Sequence, residues 1–211
     1  LFSAEENISN ILGFEAELAN AQEKCGIVPK GVSKAILNAA EILKFDQSEI
    51  DVAIARDGVV VPYLVSLLKK AVPSNMAEYV HKSTTSQDAI DTSFMMRAGL
   101  ALDSVAENLE QIGQQLEVLR KSHGKRALMG RTRMQQALPI TVSDRLNSWE
   151  NNVATTTADI SNLDFLLQLS GPVGTYADAK VKELMGKQMG LIAPLRSWQN
   201  DRGPMLAIGN A

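Results

Sequence analysis

Three short polar segments of this 211-residue chain carry the residue types that chemistry needs. The first is His81-Lys82-Ser83-Thr84-Thr85-Ser86-Gln87-Asp88, continuing to Asp91-Thr92. Its hydroxyls crowd the predicted start of a long helix, where free backbone N–H groups and the positive dipole end point the same way. Short hydroxyl side chains add donors without bulk, so the segment can hold a carboxylate or phosphate. Capping accounts for the same residues, because Thr85 and Asp88 stand at capping-box spacing. His81 taken alone is more often a structural histidine than an acid or base. The second segment is Gly130-Arg131-Thr132-Arg133-Met134-Gln135-Gln136-Ala137-Leu138-Pro139-Ile140-Thr141. Two arginines one residue apart, with Thr132 and Gln135, can clamp carboxylates bidentately. A solvated loop with surface ion pairs is the plainer reading. The third is Gln168-Leu169-Ser170-Gly171-Pro172-Val173-Gly174-Thr175. Its glycines permit close backbone approach to a ligand, or simply terminate a helix.

The elements that must position these segments read as helices. Ser3 and Glu6 form a capping-box pair that opens a helix running to about Lys24, and Gly26 is its terminator. Shorter helical patterns follow at residues 32–43, after Asp46 as far as Gly58, and from Pro62 to about Val72. Between residues 85 and 123 nothing breaks the helical period. Ile90, Phe94, Ala98, Leu102, Val105, Leu109, Ile112, Leu116 and Leu119 step by fours and threes, close to a heptad seam. Gly124 ends this helix. A second long pattern runs from Thr141 to about Leu169, with Asp144 complementing its dipole. No strand-period segment exceeds residues 58–61. The expected fold is all-α, with an N-terminal helical domain at 1–83 and a bundle of long antiparallel helices at 84–211. Helices this long are expected to bury their outer faces against other subunits.

Composition narrows the function classes. A net charge of −3 argues against a nucleic-acid footprint. No apolar run is long enough for a membrane helix. The single cysteine, Cys25, excludes an internal disulfide and fits a reducing compartment, so a cytoplasmic location is expected. Two histidines without metal-ligand spacing argue against zinc or iron. Leu1 in place of Met suggests that the natural start has been lost.

Together the three segments resemble the fumarase/aspartase superfamily, over almost the whole chain. The first family region reads His-x-Gly-x-Thr-Ser-x-Asp; His81, Thr85, Ser86, Gln87 and Asp88 fit, and Ser83 replaces the glycine. The second reads Gly-Arg-Thr-His-x-Gln-x-Ala-x-Pro-x-Thr; Gly130, Arg131, Thr132, Gln135, Ala137, Pro139 and Thr141 fit, and Arg133 replaces the histidine. The third is matched by Gln168, Gly171, Gly174 and Thr175, although Ser170 and Pro172 depart from it. Gln199, Asp201 and Arg202 resemble a Gln-Arg-Asp-Arg stretch in which Asn200 replaces the first arginine. The sequence Gly203-Pro204-Met205 after it is not expected to be helical. Within the superfamily, Asp57-Gly58-Val59-Val60-Val61-Pro62 and the run from Thr85 to Ser93 resemble the cycloisomerases of 3-carboxy-cis,cis-muconate. Adenylosuccinate lyase is the nearest rival.

The resemblance implies a homotetramer whose active sites draw on three subunits, with no metal or organic cofactor and a small polycarboxylate substrate. It implies a cycloisomerase of aromatic catabolism, in the protocatechuate branch of the β-ketoadipate pathway, that interconverts 3-carboxy-cis,cis-muconate and a carboxymuconolactone. Thr85, Ser86 and Gln87 would hold one carboxylate, joined by Thr132 and Gln168 from neighbouring chains. Arg133, with Arg131, would orient the attacking carboxylate, and His81 would polarise the site. Lyases that expel an amine or hydroxide must protonate a poor leaving group, a task that suits histidine. Arginine stays protonated above about pH 12 and cannot serve as an ordinary general acid. Arg133 therefore favours cycloisomerisation. The family's proton-transfer serine lies on a later Gly-Ser-Ser-x-Met-Pro loop, which has no counterpart among these 211 residues. The chain is thus expected to be the N-terminal part of a subunit, inactive alone. A non-catalytic helical relict is the alternative.

Overall fold

The computed structural model describes residues 1–175 and 178–211. Two compact units emerge: residues 1–99 with 164–206, and residues 100–163 with 207–211.

The first unit is mainly helical among the described residues. Helix α1 (Ala4–Lys24) begins where Ser3 Oγ accepts from the Glu6 N–H, at 3.2 Å. The chain leaves it through Gly26 at φ 72°, a left-handed conformation that suits glycine. Helices α2 (Val32–Ile42), α3 (Gln47–Asp57) and α4 (Val61–Ala71) follow, with Pro62 in the first turn of α4. A single 3-10 turn, Ala77–Tyr79, leads to α5 (Ser86–His123). At 38 residues α5 is roughly 57 Å long; it begins in the first unit and continues into the second. Ile8, Ile11, Phe14 and Leu18 of α1 form the core with Ile36, Leu64, Leu68 and Met95. Every one of these side chains is essentially removed from water, and such burial is the main driving force for packing the helices.

The second unit holds the rest of α5, a hairpin of β1 (Ala127–Thr132) and β2 (Gln135–Thr141), and helix α6 (Val142–Ser161). Thr141 and Asp144 make the complete reciprocal capping box that opens α6. Arg120 of α5 donates to Asn147 Oδ1 at 2.7 Å and pairs with Glu150, which joins the two helices. Gly124 is required at the end of α5: an added Cβ would lie 2.5 Å from both the Arg120 carbonyl oxygen and Ser143 Oγ.

The expected fold class holds, since eight helices account for most of the described residues. Three local expectations need correction. The segment at 130–141 is a strand pair, not a loop. Its turn is Arg133-Met134, at φ 45° and 64°, which lacks the Asn-Gly or Asp-Gly signal. A bulge between Met129 and Arg131 also breaks the period-two alternation. The second long helix stops at Ser161, about eight residues earlier than expected. Leu167, Gln168, Leu169 and Ser170 are buried in succession, and a one-faced helix cannot bury consecutive residues in this way. Leu167 and Ile192 are instead joined by a backbone hydrogen bond at 2.8 Å. Finally, Gly203-Pro204-Met205 does open a helix, α8 (Gly203–Asn210), because proline is tolerated in a first turn. The sequence reading also passed over α7 (Ala179–Met189), which is capped by Asp178 and ended by Gly190.

Candidate active site

In the first unit, the beginning of α5 is built around two buried carboxylates. Asp88 is fully buried and accepts five hydrogen bonds: from Thr84 Oγ1, the Thr85 N–H, Gln168 Nε2, and the N–H groups of Ser170 and Gly171, all between 2.9 and 3.2 Å. Half of the expected capping box is present, because Asp88 reaches back to the Thr85 N–H. The hydroxyl that contacts Asp88 is that of Thr84, not Thr85. A buried charge is tolerable only when its lone pairs are satisfied, and here the donors come from chain segments about 80 residues apart. One turn further on, Thr92 Oγ1 donates to the Gln168 carbonyl at 2.9 Å and accepts from the Gln168 N–H at 3.0 Å. The third polar segment is thereby fastened to the first.

Asp91 is the second buried carboxylate. Arg202 grips it with both terminal nitrogens, at 2.7 and 3.0 Å, the fork geometry that only arginine offers. Hydrogen bonding to Asp91 raises the Arg202 guanidinium above its ordinary value. The guanidinium also lies 5.6 Å over the Trp198 ring, whose indole N–H donates to the Leu167 carbonyl. Asp91 accepts in addition from Gln87 Nε2 at 2.7 Å. An ionised carboxylate can only accept, so this contact orients the Gln87 amide. Its nitrogen faces Asp91, and Oε1 is the end left for other contacts.

His81 lies on the approach to α5 at φ 62°, and its Nδ1 is 2.5 Å from Oε1 of the buried Glu15 on α1. The neighbouring Lys82 carbonyl accepts from Gln22 Nε2 at 2.8 Å. Thr85, just before α5, and Ser86 and Gln87 in its first turn are half-buried and so remain reachable. Gln168 is fully buried, with its amide nitrogen committed to Asp88 and Ser170 and its Oε1 lacking a hydrogen-bond partner among the described residues. A cleft of about 500 Å³ in the same unit is lined by Thr175, Lys182, Arg196 and Ser197 among others. Burial pulls the Lys182 amine below its ordinary value, and the Asp88 charge partly opposes this.

Arg131, Thr132 and Arg133 belong to the second unit. Arg131 and Thr132 are on β1, Arg133 is in the turn, and all three are exposed. The sequence reading named the surroundings of α5 but overlooked Glu15 as part of them. A signal was available: Glu15 falls on the apolar stripe of α1, four residues after Ile11 and three before Leu18, where a charged residue calls for a partner. Asp91 and Arg202 were recognised only as motif letters, since their contact spans 111 residues. Among the described residues, no cluster of His, Cys, Asp and Glu could hold a metal ion. Nor is any helix among them long and apolar enough to cross a membrane.

Comparison with known proteins places these features in context. The family model described as a lyase matches residues 2–203. The 3-carboxy-cis,cis-muconate cycloisomerase of Acinetobacter baylyi is 28% identical over 100% of this chain and 49% of its own length. The N-acetyl-S-(2-succino)cysteine lyase of Enterococcus italicus is likewise 28% identical, over 96% of this chain and 46% of its own length. Among solved structures, the cycloisomerase of Acinetobacter calcoaceticus superposes with a TM-score of 0.93 at 28% identity, covering 99% of this chain and 52% of that one. The chain thus spans about half the length of the relatives it matches. With both the family pattern and the helical frame matched nearly end to end, the chain belongs to the fumarase/aspartase family of lyases.

Proposed function

We propose that this chain is part of a cycloisomerase that interconverts 3-carboxy-cis,cis-muconate and a carboxymuconolactone. The observation that supports it best is the cluster of donors at the start of α5, braced by Asp88 and Asp91, in a chain similar throughout to such a cycloisomerase. In that reaction a carboxylate of the substrate adds to its own double bond. The new C–O bond leaves negative charge on the carbon beside a second carboxylate, and that carbon then takes up a proton. Thr85 and Ser86 would hold this second carboxylate as its charge grows, a task for preorganised donors that need not reorganise during reaction. Gln87 Oε1 would accept from a protonated group of the same ligand. Arg131, Thr132 and Arg133 would reach the substrate from neighbouring copies of the chain, with Arg133 orienting the attacking carboxylate.

A homo-oligomer is part of this reading. In the second unit Val105, Ile112, Val118, Leu119 and Trp149 are all more than 40% exposed, which supports burial of this apolar surface by other copies. Sizing in solution checks this, and a monodisperse monomer of the complete gene product would count against it.

A second reading, a lyase that cleaves a carbon–heteroatom bond, is favoured by the equal identity to the succinocysteine lyase. Such a reaction needs a general acid for its leaving group, and the hairpin presents Arg133 where the family pattern has histidine. An assay of the complete gene product separates the two. Loss of 3-carboxy-cis,cis-muconate absorbance at enzymatic rates supports the cycloisomerase. Efficient adenylosuccinate or succinocysteine cleavage, with the muconate untouched, refutes it. The 211 residues alone are expected to show no turnover.

A further inference from the structure

We infer that Glu15 is a positioning residue for His81: it holds the imidazole with Nδ1 as hydrogen-bond donor, so that Nε2 is left as the acceptor for a protonated carboxyl or hydroxyl of the bound ligand. The inference rests on reading the start of α5 as a carboxylate-binding site.

Glu15 lies on the core-facing side of α1, with its side chain only 1% exposed. Burying a carboxylate is costly unless it is paired. Its Oε1 is 2.5 Å from His81 Nδ1, while Oε2 has no hydrogen-bond partner among the described residues. The pairing that Glu15 makes is therefore with one nitrogen of one histidine. A purely structural need at this position would be met by an apolar residue, as at Ile11 and Leu18 on the same stripe.

The segment that carries His81 is pinned from the same helix a second time. Gln22, seven residues after Glu15 and so on the same face, is fully buried and donates to the Lys82 carbonyl. Between and beside these contacts, His81 and Ser83 occupy the left-handed region at φ 62° and 60°. Residues with a side chain rarely adopt this conformation, and it persists where the surroundings over-determine it. The segment leads directly into Thr84, Thr85 and Ser86. The His81 ring keeps 17% of its side-chain surface exposed, and no hydrogen bond engages Nε2 among the described residues.

An ionised carboxylate offers no proton, so the atom facing it must be an N–H. In the neutral ring this fixes the tautomer, with the proton on Nδ1 and the lone pair on Nε2. His81 is then not a donor to the substrate carboxylate. It is an acceptor, complementing the donors Thr85 and Ser86.

The test uses nitrogen-15 NMR of the ring nitrogens in the labelled chain. Only two histidines are present, so His123→Gln assigns His81 without ambiguity. At a pH where the ring is neutral by its own titration curve, Nδ1 is expected to carry the proton. Glu15→Ala is expected to release a mixture of tautomers. Glu15→Gln, whose side-chain oxygen still accepts, is expected to keep the proton on Nδ1. A merely structural role would not separate the two variants in this way, because both remove the charge. Titrating citrate as a polycarboxylate probe is expected to move Nε2 more than Nδ1. A proton on Nε2 in the parent chain would overturn the inference, as would a tautomer unchanged in Glu15→Ala. If citrate leaves Nε2 unmoved, the acceptor role is overturned. Should Glu15→Ala fail to fold, the parent spectrum and Glu15→Gln still decide. None of these measurements involves muconate turnover, so failure of the cycloisomerase reading and failure of this inference are distinguishable.

Discussion

Around the first turns of α5, Asp88 and Asp91 are buried and draw donors from Thr84, Gln87, Ser170, Gly171 and Arg202. The β1–β2 hairpin holds its polar residues in the opposite way. Arg131, Thr132 and Arg133 are exposed, and the hairpin is shaped by its backbone ladder and by two side-chain-bearing residues at positive φ. One region is over-determined by charge-assisted hydrogen bonds to buried carboxylates. The other is kept in shape locally, with no second layer of side chains described around it. The difference suggests that the first region carries stability as well as chemistry, whereas the hairpin can be altered with little cost to folding.

The largest effect should come from Asp88. Replacement by alanine leaves several buried neutral donors without an acceptor, each typically costing about 1–3 kcal/mol. Urea unfolding of Asp88→Ala measures this, and a loss below about 1 kcal/mol would erase the contrast between the regions. Arg202→Ala should cost less, about 1–2 kcal/mol, because the guanidinium is 42% exposed and partly screened although Asp91 is buried. Arg202→Lys should recover less than half of the loss, since an ammonium group cannot reproduce the two-pronged contact. The same unfolding assay distinguishes the three proteins.

On the hairpin the sign reverses. Exchanging Arg133-Met134 for Asn-Gly relieves two positive φ angles and should stabilise the chain by about 1 kcal/mol. A rise in Tm, combined with loss of turnover in the complete gene product, would mark Arg133 as a residue kept for function at the expense of stability. The smallest effect should be at Asp144, whose carboxyl is held below its ordinary value of 3.8 by hydrogen bonds from Thr141. A depressed folded-state value means that this contribution is present above the unfolded value. It is lost as pH falls from about 4 through the folded value. Asp144→Asn should therefore flatten the acid limb of the stability profile, which an acid titration followed by circular dichroism would show.

Much of the helical frame could be read from one-dimensional spacing. Ser3 and Asp46 each cap a helix as expected, and Gly26 and Gly58 end two of them, because these signals act within four or five residues. The unbroken period of α5 was equally clear. The hairpin was hidden because Arg133-Met134 is an unusual choice for a turn that needs positive φ. The early end of α6 was hidden because Leu163 and Leu167 continue its apolar stripe, and only tertiary contacts, the backbone pairing with Ile192 and the hydrogen bonds of Thr92 with Gln168, set the segment apart.

What the sequence determined by itself is therefore whatever local propensity and periodicity control: the pattern of the first six helices, several of their caps, and the order of the polar segments. Tertiary structure alone decided the partners. Asp88 with Gly171, Asp91 with Arg202, and Glu15 with His81 are separated by 83, 111 and 66 residues. A hydrogen bond at such separation leaves no periodic trace along the chain. It arises only after hydrophobic burial has brought the helices together, when a carboxylate removed from water must find the donors that the packing has placed beside it.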